Sequence, residues 1–485
     1  MAGIGFELKK LFAKKGVLNT AKAYGYATII CAGPMLLGIL LLLGIMGLCS
    51  LAKIPVYSRE LLICMITYTL LASVLITAFF SMVVTRYVAD MLFEEQNSTV
   101  LPSFWGSTVL MMTLGSFIYG IFLLFSGASL AQGLLCFILF NELVIVWNAM
   151  SFLTAIKDYK GILFSFLTAI AVTFVVGFLL IQFQTPVIES LLFAVTLGYG
   201  VMLVWDVLLL HRYFPSTNHG AFAFLKWVDA FWLLALTGIF TNIGMFAHIV
   251  ILWFSDIGVH IKGLFYGAPW HDVPSLLAFM TALMTTVNFV VSVEVNFYPK
   301  YRNHYSLYND KGTIGDIKQS EKEMIGTLKT ELFYTALKQL LFTVVCIALG
   351  GYLLDFLPLG FNEIMRGYFR TLCVAYGLYA IGNMLMLILL YFADYRGSMI
   401  CTALFAGLSI FGTVTFLAFP YEYYGFGFLI ASMAFVLACT FRLNHFTRRL
   451  SYYILASQPL VAEDRTGRFT KLGIFLEEKL ERELR

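Results

Sequence analysis

Long apolar runs alternate with short polar segments along almost the whole chain, and twelve of these runs are long enough to cross a bilayer. An α-helix rises 1.5 Å per residue, so about 20 residues span a hydrocarbon core of about 30 Å. Backbone groups in lipid must pair within their own segment, which predicts that each run is a helix. The runs are residues 25–48, 61–85, 104–126, 131–155, 162–183, 188–210, 226–254, 274–298, 333–357, 368–392, 399–419 and 425–446.

The twelve runs fall six and six around a polar segment that extends from His211 to Trp227. This arrangement predicts an all-α membrane protein with about 12 transmembrane helices in two six-helix lobes around a central cavity. Six spans return the chain to the side from which it started, so the lobes are expected to be parallel repeats. The predicted domains are an amphipathic N-terminal segment, two lobes separated by a linker, and an amphipathic tail, at residues 1–24, 25–210, 211–225, 226–446 and 447–485.

The distribution of basic residues orients the chain, because Lys and Arg favour the cytoplasmic segments of membrane proteins. If the N-terminus is cytoplasmic, all but five of the 32 Lys and Arg residues lie in cytoplasmic segments or toward the cytoplasmic ends of spans. The five exceptions are Lys53, Arg59, Lys262, Arg366 and Arg370. Both termini are therefore predicted to be cytoplasmic, in a multi-pass protein of the cytoplasmic (inner) membrane. The net charge of +4 reflects this topology, and nucleic acid is not expected as a partner.

The composition also excludes an ordinary soluble enzyme. Apolar residues make up 60% of the chain and charged residues 12%, against roughly 25% charged in soluble domains. The sequence contains no GxxxxGK[ST], GxSxG or HExxH motif and no Gly-rich dinucleotide turn. Its eight cysteines form no CxxC motif. We expect no enzymatic activity, metal or cofactor, so transport would draw on an ion gradient, on the gradient of the substrate, or on the chemistry of a partner.

The cytoplasmic loop 299–332 is much longer than the other loops. It begins with YPKYRNHYSLYNDKG and continues with the charged helical pattern DIKQSEKEMIGTLKTEL. Loops of this length are usually functional or disordered. We predict a docking surface for a cytoplasmic partner, with a solvated connector as the alternative. The residues assigned to docking are Lys300, Arg302, Tyr305 and Lys311.

Both ends of the chain have amphipathic helical patterns. The N-terminal stretch GIGFELKKLFAKKG has an apolar face and four lysines, which suits a helix that lies on the anionic inner leaflet. The tail ends in KLGIFLEEKLERELR, where leucines recur at i, i+4 from Leu472 to Leu484. A helix that binds a partner or the membrane surface is predicted there, and a solvated helix is the alternative.

Ionisable groups inside membrane spans are costly, and each is a candidate functional residue. Glu142 lies near the middle of the fourth span, with Asn141 beside it and Asn148 two turns further on. A buried carboxylate at this position can hold a proton, contact a hydroxyl-rich substrate or pair with a basic residue. An interhelical hydrogen bond within one lobe is the structural alternative.

Glu294 lies toward the cytoplasmic end of the eighth span, near Asn288. It is interpreted either as a residue that meets substrate at the cytoplasmic mouth or as the partner of Arg86, at the inner end of the second span. Arg86 is also four residues before Asp90, so a local ion pair is a further alternative.

Polar residues recur at intervals of three to four in the seventh and eighth spans, as they do where helices line a water-filled cavity. Ser and Thr also join packed helices, so a packing role stays open. Asn242 and Asn288 are the stronger candidates for the pathway, since amides are costly in lipid. Asp206, Asp229 and His248 lie near span ends, where water is close, and are interpreted as structural.

Four stretches together resemble a known family: MAGIGFELKKL at the start, TRYVADMLFEE after the second span, LTAIKDYKGIL after the fourth, and VEVNFYPKYR after the eighth. With the twelve spans, they resemble the PelG family, polytopic membrane proteins of Pel exopolysaccharide systems. The resemblance extends from the first residue to the tail. It implies the fold of the multidrug/oligosaccharidyl-lipid/polysaccharide flippase superfamily.

The resemblance further implies that the protein moves a growing polymer, rich in N-acetylgalactosamine and galactosamine, across the cytoplasmic membrane. A cytoplasmic glycosyltransferase that uses a UDP-sugar is the implied partner, together with membrane-bound accessory proteins, one of which senses cyclic di-GMP. No ligand-binding residue is carried over from the family. The pathway residues Glu142, Asn141, Asn242, Asn288, Glu294 and Arg86 therefore depend on the arguments above.

Three other functions stay open. An ion-gradient-driven antiporter or a lipid-linked oligosaccharide flippase of the same architecture would need a coupling carboxylate, such as Glu142. A membrane-embedded glycosyltransferase would need a catalytic site, for which the outside loop 255–273 offers only Asp256, His260, His271 and Asp272. A scaffold that anchors the transferase is the third alternative.

Overall fold

The computed structural model describes residues 17–156, 158–183, 186–215, 217, 220–309, 312–356, 361–456 and 467–483. Within these ranges, eleven helices are long and apolar enough to cross a membrane. The Leu36–Leu51 part of a further helix is apolar but shorter. A largely helical, multi-pass membrane protein is therefore confirmed. The N-terminal amphipathic segment, residues 1–16, lies outside the described residues.

The helices follow the predicted spans closely. Those in the first part of the chain are α1 (Val17–Leu51), α2 (Val56–Phe93), α3 (Val100–Phe125), α4 (Leu130–Ala155), α5 (Tyr159–Gln182), α6 (Val187–Tyr213), α7 (Leu225–Ala230) and α8 (Trp232–Leu252). A hairpin of β1 (Val259–Lys262) and β2 (Phe265–Gly267) follows. The remaining helices are α9 (Pro269–Ala278), α10 (Leu283–Val291), α11 (Tyr298–Asn309), α12 (Ile314–Phe356), α13 (Glu363–Tyr391), α14 (Tyr395–Phe416), α15 (Phe426–Thr447), α16 (Leu450–Ala456) and α17 (Arg468–Glu483).

The seventh and eighth predicted spans are not regular helices. The seventh is interrupted at Phe231, whose φ of −120° and ψ of 34° separate the short helix α7 from α8. The eighth continues from α9 through a 3₁₀ turn at Phe279–Ala282, α10 and a π-helical segment at Ser292–Phe297 into α11. Hydropathy does not reveal such changes, because they leave the apolar content of the run unchanged.

Residues 299–332, predicted as a long cytoplasmic loop that ends in a charged helical pattern, belong mainly to α11 and to the first half of α12. Thr313 and Asp316 form a reciprocal cap at the start of α12. The Asp316 carboxylate accepts the Thr313 N–H at 3.1 Å, and the Thr313 hydroxyl accepts the Asp316 N–H at 3.2 Å. Such a cap satisfies backbone donors that a helix start leaves open.

The β1–β2 hairpin was not predicted, and it is held against α2 by Tyr68. The Tyr68 hydroxyl donates to the Tyr266 carbonyl at 3.1 Å and accepts the Tyr266 N–H at 3.2 Å. The Tyr68 ring also stacks on Trp253 with centroids 4.5 Å apart. These long-range contacts order a loop that has no strong strand pattern.

The chain forms two compact units. Among the described residues, the N unit comprises those within Pro34–Pro269 and Val461–Arg485, and the C unit those within Met1–Gly33 and Trp270–Leu460. Helix α8, which is the seventh predicted span, packs against α2 within the N unit. The predicted division into lobes 25–210 and 226–446 stays a prediction.

Each unit contains one copy of the same capping motif. Asp158 in DYKG accepts the Gly161 N–H at 3.0 Å at the start of α5, and Asp394 in DYRG accepts the Gly397 N–H at 3.1 Å at the start of α14. The following helix binds the same aspartate in both cases, through Tyr213 in α6 and through Arg442 in α15. The hairpins α5–α6 and α14–α15 therefore share a capping motif, with a different side chain bound to the aspartate in each.

Candidate functional site

In the N unit, the carboxyl group of Glu142 lies in the interior beside α6. The structure shows no hydrogen-bond partner for its buried Oε2 among the described residues. A Cβ atom on Gly200 would come within 3.0 Å of Glu142 Oε1, so the absence of a side chain on Gly200 leaves room for the carboxylate. A buried carboxylate without a partner is costly unless it holds a proton or a cation. The position can therefore bind either one.

The asparagines of α4 bind neighbouring helix positions. Asn141 accepts a hydrogen bond of 2.6 Å from Ser116 in α3, and its amide donates to the Phe137 carbonyl at 2.9 Å. The Asn148 amide donates to Ser107 and Thr108, both at 2.9 Å. These bonds join α3 to α4, as the packing alternative requires.

Arg86 forms the local ion pair that was one of the alternatives. Its Nε lies 3.0 Å from Asp90 Oδ2, and its guanidinium lies 5.6 Å from the centroid of the Phe231 ring. Asp90 Oδ2 also accepts the Trp227 indole N–H at 2.9 Å. Arg86 thus joins the end of α2 to the break between α7 and α8. The side chain of Glu294, the other predicted partner, lies outside those that the structure describes.

Asn242 in α8 is partly buried and donates to the Gly238 carbonyl of its own helix at 2.9 Å. Gly238 is where α8 comes close to α2, because a Cβ there would lie 2.4 Å from the Ala78 carbonyl oxygen. Asn242 is therefore next to a tight helix contact, and its proposed part in a pathway stays a prediction.

In the C unit, Asn288 is the centre of a buried polar network. Lys338 Nζ donates to Asn288 Oδ1 at 2.7 Å, and Asn288 Nδ2 donates to Ser292 Oγ at 3.2 Å and to Thr335 Oγ1. One turn further, Gln339 accepts the Thr285 N–H at 3.0 Å. The network connects α10 with α12 through amide, hydroxyl and ammonium groups in the apolar part of the chain.

The π-helical segment Ser292–Phe297 follows this network directly and contains the backbone of Glu294. Such segments are rare and frequent at functional sites, since the extra residue rotates the following side chains relative to the helix. This geometry marks the Asn288 network as the strongest candidate functional site in the C unit.

Lys338 was not identified from the sequence, although it lies five residues inside the ninth predicted span. A Lys within an apolar run is the signal that would have found it, because a cation in a span normally has a partner or a water-filled cavity. Its contact with Asn288 was not predictable, since the two residues are 50 positions apart.

The predicted docking residues lie on the hairpin of α11 and α12. Lys300 forms an ion pair of 2.9 Å with Glu323 between the two helices, and Arg302 is exposed. Tyr305 packs on Tyr301 with centroids 4.4 Å apart. Lys311 lies outside the described residues. Lys300 and Tyr305 thus make contacts within the hairpin, and docking stays a prediction.

The residues expected to be structural are found in different settings. Asp206 and His248 are almost fully buried, so water is not close to Asp206 as the span-end argument predicted. Asp229 binds the N-terminus of α17, with its carboxylate 2.6 Å from the Thr470 nitrogen. Packed protein surrounds Asp206 and His248, whereas Asp229 is only partly buried.

The residues considered for a catalytic site make local contacts. His260 lies 2.9 Å from the Gly263 carbonyl oxygen within the β-hairpin, and His271 Nδ1 lies 3.6 Å from Asp272 Oδ1. Within the part of the chain that the structure describes, no group of three or more His, Cys, Asp or Glu residues is arranged to hold a metal ion.

The fold is that of the MATE transporters of the MOP superfamily. An outward-facing multidrug resistance MATE transporter aligns with a TM-score of 0.62 at 14% identity, covering 88% of this chain and 96% of that chain. MATE in the straight conformation aligns with a TM-score of 0.58 at 13% identity, with the same coverage of 88% and 96%. A MOP-superfamily transporter from Pyrococcus furiosus aligns with a TM-score of 0.55 at 13% identity, again over 88% and 96%.

The spans define a multi-pass membrane protein, and its fold is like that of the MATE transporters. The sequence matches the PelG exopolysaccharide exporter (EPS-E) family over residues 1–455, and the chain belongs to that family. No curated protein matches the chain. The resemblance read from four sequence stretches is thereby confirmed.

Proposed function

We propose that this exporter moves the Pel polymer, rich in N-acetylgalactosamine and galactosamine, across the cytoplasmic membrane while a glycosyltransferase extends the polymer from a UDP-sugar. Family membership supports polysaccharide export, and the MOP fold supports movement through a helical membrane body. Growth of the polymer would push it forward, so no coupling ion is required. Accessory membrane proteins, one of which senses cyclic di-GMP, are further proposed partners.

The observation that carries this proposal is the Asn288 network beside the π-helical segment. Sugars present hydroxyl and acetamido groups, which exchange hydrogen bonds with amides, hydroxyls and ammonium groups. Lys338, Asn288 and Thr335 place these three kinds of group on α10 and α12. A polymer can therefore be passed between hydrogen-bonding groups without leaving them unpaired in an apolar surrounding.

The first experiment is deletion of the gene and complementation with the intact gene, Lys338→Met or Gln339→Leu. Galactosamine-containing polymer is measured on the cell surface and inside the cell. We expect deletion to remove surface polymer, the intact gene to restore it, and each variant to restore much less at equal protein level. Asn303→Ala changes an exposed amide and is expected to complement fully. Unchanged surface polymer after deletion would contradict the assignment to Pel.

The transferase is proposed to dock on the first half of α12. Lys318, Lys322 and Lys329 are exposed along one side of this helix. They line a shallow groove together with Glu321, Ile325 and Gly326, so lysines outnumber the one carboxylate. An acidic surface on the partner would complement this row of cations.

Replacement of these three lysines by glutamate is expected to prevent co-purification of the transferase with the exporter. The matched control changes Lys53, Arg59 and Lys262 to glutamate, which alters the charge equally on the predicted opposite side of the membrane. Equal loss of the transferase in both triple variants would argue against docking at α12.

A gradient-driven antiporter or lipid-linked oligosaccharide flippase is the second candidate, and the buried Oε2 of Glu142 favours it. Glu142→Gln keeps the shape of the side chain and removes the charge that a coupling proton or ion needs. Export driven by polymer growth is expected to continue in this variant, whereas a coupled antiporter would lose transport and still bind its partners.

A further inference from the structure

Asn296 and Glu331 meet in the C unit where two membrane spans end. Asn296 Nδ2 donates to Glu331 Oε1 at 2.8 Å and joins the π-helical segment to α12. The eighth predicted span ends at residue 298 and the ninth begins at residue 333, so the pair lies at the predicted cytoplasmic boundary of both. A substrate that approaches the Asn288 network from the cytoplasmic side therefore meets this pair first.

Glu331 lies on the same face of α12 as the residues of the network. Thr335 follows Glu331 by four residues and Lys338 follows it by seven, which are the spacings of one helix face. Seven residues correspond to about 10.5 Å along the helix axis. A cavity of about 10 Å³, the space of roughly one water molecule, has Ser292, Glu331 and Thr335 in its wall. The pair of Asn296 and Glu331 thus adjoins the network.

The Glu331 carboxylate forms no ion pair with any described residue, and its bond to the neutral Asn296 amide leaves its charge unmatched. Closer to the predicted cytoplasm, by contrast, Glu323 is paired with Lys300 at 2.9 Å between α11 and α12. Asn296 is exposed and Glu331 is partly exposed. The Glu331 carboxylate is therefore accessible to a ligand that supplies hydrogen-bond donors or a positive charge.

An amino sugar supplies such donors. Its nitrogen carries them as an ammonium group or as an acetamido N–H, and a carboxylate accepts from either. The bond between Asn296 and Glu331 uses one amide hydrogen and one carboxylate oxygen. The second amide hydrogen, the amide oxygen and Glu331 Oε2 can therefore bind a ligand while the two side chains stay joined.

We propose that Asn296 and Glu331 form an entry site, which binds the nitrogen-bearing group of an amino sugar before the polymer reaches the Asn288 network. This inference rests on the proposed export function and adds a residue that determines its specificity. Glu331 accepts from the sugar nitrogen, while Asn296 binds a neighbouring hydroxyl group. A sugar without nitrogen offers the carboxylate only hydroxyl groups, so it binds more weakly.

The first test measures sugar binding to the purified full-length protein by isothermal titration calorimetry. The probes are short oligomers of galactosamine, of N-acetylgalactosamine and of galactose. We expect at least one of the amino-sugar oligomers to bind about tenfold or more tightly than the galactose oligomer. Preference for galactosamine would assign the ammonium group to Glu331, and preference for N-acetylgalactosamine would assign the acetamido N–H. Equal affinity for all three oligomers, or binding of none, would overturn the entry site.

Glu331→Gln separates binding from packing. The glutamine keeps the shape of the side chain and can still accept the Asn296 hydrogen bond, so the unfolding temperature should stay unchanged. The variant should bind the preferred oligomer about tenfold or more weakly, because a neutral amide replaces the carboxylate. Glu331→Asp keeps the charge and should retain more of the affinity than Glu331→Gln. A pair that serves packing alone predicts wild-type affinity in Glu331→Gln.

The same variants are then produced in the deletion strain. Glu331→Gln is expected to restore less surface polymer than the intact gene at equal protein level. The matched control is Glu363→Gln, which changes a carboxylate that is 87% exposed on the predicted opposite side, and it should complement fully. Unchanged affinity or normal export in Glu331→Gln would overturn the entry site and leave the exporter function standing. Absence of amino-sugar polymer from wild-type cells would instead contradict the proposed function itself.

Discussion

Lys338 in α12 donates a hydrogen bond of 2.7 Å to the amide oxygen of Asn288 in α10. This bond places a cation and an amide together in the apolar part of the C unit, next to the π-helical segment Ser292–Phe297. Both groups belong to a network in which the hydroxyls of Ser292 and Thr335 accept hydrogen bonds from the Asn288 amide. The stability of this region and its chemistry therefore depend on the same residues.

Asn288→Leu is expected to lower the free energy of unfolding by about 1–3 kcal/mol, because it leaves buried hydroxyl and ammonium groups with fewer partners. Asn288→Asp should be tolerated better, since a carboxylate can still accept from Lys338. Thermal unfolding of the purified protein in detergent measures both. Asn303→Ala, at an exposed position of α11, should leave the unfolding temperature unchanged. Equal unfolding temperatures for Asn288→Leu and wild type would show that the network contributes no stability.

Gly200→Val is expected to destabilise the N unit by about 1–3 kcal/mol, because its side chain would overlap the Glu142 carboxylate. The double variant Gly200→Val with Glu142→Ala should recover part of that loss, since the smaller side chain removes the overlap. Thermal unfolding compares the variants. Gly133→Ala in α4 faces open space and serves as the control. An equal loss of stability in the single and double variants would show that the Glu142 carboxylate does not lie against residue 200.

The hold of Asp229 on α17 is expected to weaken in acid. Partial burial raises the pKa of Asp229, but hydrogen bonds from Thr470 and Phe469 outweigh burial and lower the pKa overall. Its contribution is therefore complete above the unfolded value of about 4 and disappears as the pH falls through the folded value. Hydrogen exchange at the Phe469 and Thr470 N–H groups, divided by the intrinsic exchange rate at each pH, should therefore become faster below about pH 4. Asp229→Asn should exchange faster at every pH, without this step. An equal increase in both proteins would assign the effect to other groups.

The two capping repeats should differ in their sensitivity to mutation. Arg442 makes two hydrogen bonds, of 2.5 and 2.8 Å, to an almost fully buried Asp394, so Arg442→Met is expected to cost about 2–3 kcal/mol. Tyr213→Phe removes one bond at an exposed position and should cost at most about 1 kcal/mol. Unfolding temperatures of the two variants test the order. A larger loss of stability in Tyr213→Phe than in Arg442→Met would contradict this order.

Local hydropathy predicted the helices well, since each span must satisfy its own backbone in lipid. The fourth span was predicted at 131–155 and is found at Leu130–Ala155. The break at Phe231 and the helix α11 at the start of the 299–332 loop were missed, because both depend on neighbouring helices and leave the average hydropathy unchanged. The β-hairpin was missed for the same reason, as Tyr68 in α2 holds it in place.

For the candidate sites, residue type identified groups that are costly in a membrane, which is how Glu142 and Asn288 were found. The partners of such groups lie far away in the chain, and no local pattern specifies them. The bond between Lys338 and Asn288, the space that Gly200 leaves for Glu142, and the binding of Glu477 to the turn before α7 arise only from packing. The sequence by itself thus determined the spans, because burial in lipid is a local requirement. The tertiary structure alone decided which polar groups meet, because hydrogen bonds between helices depend on their three-dimensional arrangement.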